Sequence, residues 1–328
     1  MPPSPSASLQ ALKWLWGQLT GIDCVPTGCR SPARPPVAAG YRFERLRLAS
    51  ADGSRHWPVV LGIPGGPLPP TGLASFWMMD GQRARAEIDD ALLDALSTGP
   101  ESPLLVFVGH DGDASTLPAL RARDYTFRAG AYPFLQAPGV AADRPLGGGA
   151  DALLEVLERQ LWPRLATRLP LDPGRRTLWG HSLAGLFVLH TLLSRPGSFQ
   201  TYAAGSPSLW WCKGALLGEP LERFVSHNAG RRARVRVYVG GHERQGVACQ
   251  PGPADAVAAG LRKATTGVAP DAAFALADGL GQVAGLEVAC REYPGLDHAP
   301  MFRASLLDAL HEATQAIKPH RRARGDLA

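Results

Sequence analysis

A serine hydroxyl becomes a useful nucleophile only when a base can take its proton. One serine in this chain has a setting built for that chemistry. Trp179-Gly180-His181-Ser182-Leu183-Ala184-Gly185 joins the end of a strand-like run to a long apolar helical pattern with no intervening loop. A turn that tight projects the serine side chain past the strand's C-terminal end, and small flanking residues let strand and helix approach, which is the context of a nucleophile elbow. Gly180 supplies one small residue. The second small position holds Ala184 rather than glycine, with Gly185 next, at the expense of one methyl group of clearance. Because a bare Gly-x-Ser string is common in turns, the strand before and the helix after carry the reading.

The base should be a later histidine, in the chain order serine, acid, histidine. Among nine histidines, His298 stands in Tyr293-Pro294-Gly295-Leu296-Asp297-His298-Ala299-Pro300, between the last expected strand and the last expected helix. The plainer alternative is a histidine at a helix start with Asp297 as the capping residue. His181 points elsewhere if the elbow forms, and His190 falls inside a buried helix as a core residue. The acid should leave the preceding strand, and Val235–Val239 runs into Gly240-Gly241-His242-Glu243-Arg244. Glu243 is the candidate to orient the imidazole and stabilise its cation. It reads equally as a solvated loop glutamate paired with Arg244, and His242 as a residue with some local role. An oxyanion needs two backbone N–H donors. Leu183 supplies the first and Gln82, after Met79-Asp80-Gly81, the second, although Asp80-Gly81 also suits an ordinary turn.

Positioning these residues requires strands that end at one level. Short apolar runs alternate with helical patterns along the chain, which signals α/β architecture. The expected strands are Phe43–Leu48, Pro58–Ile63, Ala74–Met79, Leu104–Val108, Arg176–Gly180, Tyr202–Gly205, Val235–Val239 and Leu286–Tyr293. Leu104–Val108 is apolar without alternation, as a central parallel strand covered on both faces should be. Asp151–Leu169 places Leu154, Leu157, Leu161 and Leu165 on one helical face, Phe302, Leu306 and Leu310 mark the last helix, and Leu183–Leu193 is apolar nearly all round. Gly65–Thr71, Pro138–Gly149 and Gly246–Pro253 read as loops.

Bulk properties set the limits. With 328 residues, 45% of them apolar, the chain can bury a sizeable core, and nothing forces a second domain. We divide it into an N-terminal extension and Pro-, Gly- and Ser-rich linker over 1–40, a catalytic domain over 41–318 and a basic tail over 319–328. The net charge of +5 is modest, and its densest run, Lys318 to Arg324, reads as a tail without any nucleic-acid module. Five cysteines, at 24, 29, 212, 249 and 290, make no paired metal pattern; Cys24 and Cys29 are incidental thiols or one local disulfide. Leu12, Leu15, Trp16 and Leu19 suggest a short amphipathic helix against the body. No secretory signal pattern and no transmembrane run is visible, so a cytoplasmic protein is expected, or a periplasmic one if the start hides a leader.

In order, Met79-Asp80-Gly81-Gln82, Arg121-Ala122-Arg123-Asp124-Tyr125-Thr126, Gly180 to Phe187, Ser206-Pro207-Ser208-Leu209-Trp210-Trp211 and Pro294 to His298 resemble the putative-esterase family of α/β-hydrolases, within it the siderophore esterases typified by enterobactin hydrolases. The resemblance runs from about Phe43 to Ile317. It implies an α/β-hydrolase fold, with a mostly parallel central sheet and helices on both faces. It also implies hydrolysis of a small-molecule ester, a catecholate siderophore with or without iron, by acyl transfer through Ser182 and without a cofactor. Gln82 stands where the family usually has Asn and Ala184 where it usually has Gly; neither change removes a reacting group. Some relatives manage with a Ser–His dyad, so the place of Glu243 stays open. Trp210 or Trp211 is expected to face the cleft and stack on a catecholate ring, unless both are core. Arg83, Arg85, Arg121 and Arg123 are expected to meet an anionic ligand, unless they form a solvated rim. Another carboxylesterase or thioesterase of the family, such as one resembling S-formylglutathione hydrolase, and a non-catalytic siderophore binder remain as alternatives.

Overall fold

A computed structural model describes residues 40–315 apart from 99–100, 138, 142 and 246–263. The expectations for the N-terminal helix, the basic tail, the Cys24–Cys29 pair and the loop at 246–253 lie outside the described residues. In chain order the elements are β1 (Tyr41–Ala49), β2 (His56–Pro64), β3 (Leu73–Met78), α1 (Gly81–Glu87), α2 (Asp90–Thr98), β4 (Leu104–Val108), α3 (Leu117–Tyr125), β5 (Ala129–Gly130), β6 (Leu146–Gly147), α4 (Ala150–Val156), α5 (Trp162–Ala166), β7 (Leu171–His181), α6 (Leu183–Ser194), β8 (Thr201–Gly205), α7 (Glu219–His227), β9 (Ala233–Gly240), α8 (Gly241–Gln245), α9 (Ala272–Gly281), β10 (Leu286–Tyr293) and α10 (Met301–Thr314). All the strands expected from the sequence form, Leu104–Val108 and Leu286–Tyr293 with the expected bounds and the other six with shifted ends.

Eight strands make one sheet in the order β1-β2-β4-β3-β7-β8-β9-β10. β2 runs antiparallel to both its neighbours, and every other adjacent pair is parallel. Successive residues of the central strands feed opposite faces. Trp77, Val106 and Leu178 join one apolar cluster, which reaches Leu186 and Leu189 of α6. Phe76, Phe107 and Trp179 join the other, which reaches Phe302 and Leu306 of α10. This two-sided burial explains why β4 is apolar throughout, whereas the edge strands β1 and β10 carry several charged residues each.

Two local departures have physical causes. The helix expected over Asp151–Leu169 is broken by a π-type turn at Leu157–Leu161, where the Trp162 amide reaches back to the Leu157 carbonyl. Pro163 has no N–H for the Arg159 carbonyl and its ring would crowd it, so the register slips there. The expected loop over Pro138–Gly149 contains β6, which pairs with β5 in a two-stranded ribbon too short to leave an alternating pattern.

Since β3, β7, β8, β9 and β10 are parallel, the segments that follow them emerge at one edge, where α/β sheets build their sites. α3 is locked beside that edge by Asp124. This carboxylate has no exposed surface in its side chain; it accepts from Trp57 Nε1 at 2.9 Å and from Arg123 Nε at 2.7 Å, with His110 Nε2 3.2 Å away. Burial pushes the carboxyl up, but Arg123 and His110 together outweigh it and hold the group below the ordinary carboxylate range.

A depressed folded value means that this stabilisation is complete above the ordinary aspartate value of 3.8 and fades as pH falls below it through the folded value. Asp124→Asn should therefore cost about 3 kcal/mol at pH 7. In thermal melts, the gap to the wild type should narrow below pH 3.8. A gap independent of pH would contradict the ionic role.

Candidate active site

Ser182 sits between β7 and α6 with φ 62° and ψ −119°, a conformation that side-chain-bearing residues rarely adopt. The elbow depends on Gly180: a Cβ there would come within 2.5 Å of the Ala184 carbonyl oxygen and 2.9 Å of the Ala184 Cβ. Ala184 is accommodated because position 180 has no side chain. Gly185 takes the next close approach, since a Cβ on it would lie 2.9 Å from the Gly205 carbonyl oxygen. The Ser182 amide donates to that same carbonyl at 2.8 Å, pinning the elbow to β8.

His298 Nε2 lies 3.0 Å from Ser182 Oγ, and His298 Nδ1 lies 2.6 Å from Glu243 Oε2. A carboxylate only accepts, so Nδ1 carries the proton, and Nε2 is left to accept from the Ser182 hydroxyl. The arrangement can pass a proton from the hydroxyl to the imidazole while the carboxylate stabilises the resulting cation. Glu243 is itself fixed: its Oε1 accepts from Ser206 Oγ at 2.6 Å and from the Gly240 amide at 3.0 Å. Burial raises this carboxyl, but the His298 charge and hydrogen bond, with Ser206 and Gly240, outweigh it and leave it below the usual glutamate range. Arg244 is directed at Asp271 and Glu292, 3.3 and 3.1 Å away.

The loop carrying His298 is held by its own carbonyls. The Leu296 oxygen accepts from the His242 amide at 3.3 Å, the His298 oxygen from His181 Nε2 at 3.0 Å and the Ala299 oxygen from Arg83 Nη2 at 3.3 Å. The His181 ring also packs against the His298 ring, with centroids 4.6 Å apart. Burial first, then the nearby His298, Arg83 and Arg121 charges, hold His181 well below the ordinary histidine range, so it stays neutral as a donor. His242 has its ring 3.4 Å from Asp297, and His190, on α6, bonds Asp151 of α4 at 2.8 Å.

Leu183 is the first residue of α6 and Gln82 the second of α1, so neither amide has a partner within its helix. Their strands are neighbours, with Met78 opposite Trp179 and the Met79 amide donating to the Trp179 carbonyl at 3.1 Å. Gly81 is required there, because a Cβ would meet the Phe107 backbone at 2.6 Å. Asp80 precedes it with φ 53°, held by an Arg121 fork at 2.7 and 2.8 Å and by its own amide donating to Tyr125 Oη at 2.9 Å.

These contacts correct the expectation that four arginines face an anionic ligand. Arg121 is 3% exposed and its fork is spent on Asp80; Arg83 lies 3.6 Å over the Phe302 ring. Arg85 donates to the Ile88 carbonyl at 2.8 Å, and Arg123 forks onto Asp124. Trp211 is corrected as well: it is fully buried, with Nε1 donating to the Arg128 carbonyl at 2.7 Å. Trp210 is half-buried and packs edge-on against Tyr132. Sequence reasoning missed the supporting roles of Ser206, Tyr125, His181 and Arg83; the first three stood within motifs of the family resemblance, but none of the four carried a signal of its partner.

A family model described as "Putative esterase" matches residues 128–313. The chain is 32% identical over 276 residues to an apo-salmochelin esterase of Escherichia coli, across 82% of this chain and 78% of that protein. It is 31% identical over 187 residues to the ferri-bacillibactin esterase BesA of Bacillus subtilis, across 56% of this chain and 64% of that one. The solved enterobactin and salmochelin hydrolase IroE superposes with a TM-score of 0.60 at 27% identity, covering 85% of this chain and 97% of its own.

Because Arg121 binds Asp80 and not solvent, Arg121→Ala should lower stability by about 3–5 kcal/mol, the cost of orphaning a buried partner. It should also reduce turnover of a neutral ester and of an anionic ester by similar factors. Loss confined to the anionic substrate, measured on both with the same preparation, would contradict this assignment.

Proposed function

The chain belongs to the esterase family described as "Putative esterase" and is a carboxylic ester hydrolase of the α/β-hydrolase fold, and from that premise we propose that it hydrolyses the ester bonds of a catecholate siderophore, iron-loaded or iron-free. Ser182 is the nucleophile, His298 its base and Glu243 the group that orients the base. The observation that carries this reading is the continuous Ser182–His298–Glu243 hydrogen-bonded line, with contacts of 3.0 and 2.6 Å. The siderophore substrate class is supported by the relatives named for salmochelin and bacillibactin.

In the first half-reaction His298 Nε2 takes the Ser182 proton as Oγ attacks the ester carbonyl. The oxyanion is received by the Leu183 and Gln82 amides, and the protonated imidazole returns its proton to the leaving alcohol. Water, deprotonated by the same imidazole, then releases the acid from the acyl-serine. The half-buried Trp210, with Tyr132 beside it, offers aromatic surface for a catechol ring. Tyr41 to Thr314 supply the sheet and its covering helices, which supports residues 41–318 as one catalytic unit.

Incubation with ferric and iron-free catecholate trilactones, followed by mass spectrometry, should yield linear acids and their monomers. Ser182→Ala should reduce this by on the order of 10³-fold or more, His298→Ala about equally, and the double variant little further. Glu243→Gln should lose less than either. Near-native turnover in Ser182→Ala would overturn the mechanism. Turnover of S-formylglutathione or simple esters but of no siderophore would overturn the substrate class alone.

A further inference from the structure

The segment Ser206-Pro207-Ser208 leaves β8 directly beside the elbow, because Gly205 pairs with His181. Its path is unusual: Ser206 has φ 37°, and its amide donates to the Tyr238 carbonyl at 2.7 Å. The turn sends two hydroxyls to opposite ends of the Ser182–His298–Glu243 line, Ser206 to Glu243 and Ser208 to Ser182. Ser208 is 2% exposed, its Oγ lies 3.2 Å from Ser182 Oγ, and its amide donates to the Ser182 carbonyl at 3.0 Å.

Two hydroxyls in contact leave open which donates, but the proton count here decides it. Glu243 can only accept, so His298 Nδ1 holds the ring proton and Nε2 must accept. The Ser182 proton is therefore committed to Nε2. A hydroxyl has one proton, so the contact between the serines is donated by Ser208.

We propose that Ser208 is a further catalytic residue, donating its hydroxyl hydrogen bond to Ser182 Oγ, on the reading of Ser182 as the nucleophile. In the resting site this is a bond between neutral groups. As the Ser182 proton moves to His298, partial negative charge develops on Oγ before the new bond to the carbonyl carbon passes it to the oxyanion, and the buried bond becomes charge-assisted at that point. The same holds when Oγ departs from the acyl group in the second half-reaction. The contact thus strengthens toward the transition state and acts on turnover more than on substrate binding.

The test compares wild type, Ser208→Ala and Ser208→Cys, with melting temperatures as a check on folding. For each, kcat and KM on p-nitrophenyl acetate are measured, together with the rate at which a fluorophosphonate probe modifies Ser182. Ser208→Ala should lower kcat and the labelling rate by about tenfold or more, with KM within about twofold. Ser208→Cys, of similar size but a weaker donor, should fall between, and supplies the comparison should the alanine variant not fold. Turnover and labelling within twofold of wild type in these variants, or a loss confined to KM, would overturn the proposal. Failure of wild type to be labelled at Ser182 would instead overturn the nucleophile assignment on which it rests.

Discussion

The backbone at the end of β7 cannot relax: Ser182 is held at φ 62°, with Gly180 packed so tightly beneath Ala184 that no Cβ fits. Everything else in the site is arranged around that fixed hydroxyl. The neighbouring strands repeat the device, since β3 is followed by Asp80 at φ 53° and β8 by Ser206 at φ 37°. A non-glycine residue in this region costs roughly 1–3 kcal/mol and persists only where its surroundings over-determine it. Here the compensation is visible: Asp80 has Arg121 and Tyr125, Ser206 has Glu243 and the Tyr238 carbonyl, and Ser182 has the Gly205 carbonyl.

Charge is used sparingly near the nucleophile. Glu243 has both oxygens occupied, so a single carboxylate sets both the tautomer and the tilt of His298. The His298 loop is clamped by donors on three backbone carbonyls, two of them supplied by side chains buried to 6% exposure or less, His181 and Arg83. The buried cations serve geometry: Arg121 fixes the Asp80 turn, and Arg83 closes over Phe302 onto the Ala299 carbonyl. A site organised this way holds its reacting atoms in place before substrate arrives, which is where most electrostatic catalysis originates.

The sheet was legible in the sequence because burial on both faces forces runs such as Leu104–Val108, and the elbow because only glycine suits position 180 between strand and helix. Partnerships across the fold were not. Arg121 was open to reading as a ligand contact because a guanidinium in a sequence does not announce its counterion, and Asp80 stands 41 residues away. Glu243 could not be separated from a solvated loop acid until β9 and β10 lay side by side, bringing it to His298. Ser208 gave no sign of its neighbour, since only the register of β8 on β7 carries it to Ser182. Pro163 did carry the signal for the break near Leu157–Leu161, through its missing N–H.

The central claim is that ester cleavage passes through a covalent acyl group on Ser182. Rapid acid quenching during turnover of an activated ester, followed by intact-mass measurement and peptide mapping, tests it directly. The account predicts a single acyl adduct on the peptide containing Ser182, formed before steady state and discharged as substrate is exhausted. An adduct on another residue, or burst-free turnover with no adduct in a protein that hydrolyses the ester, would contradict it.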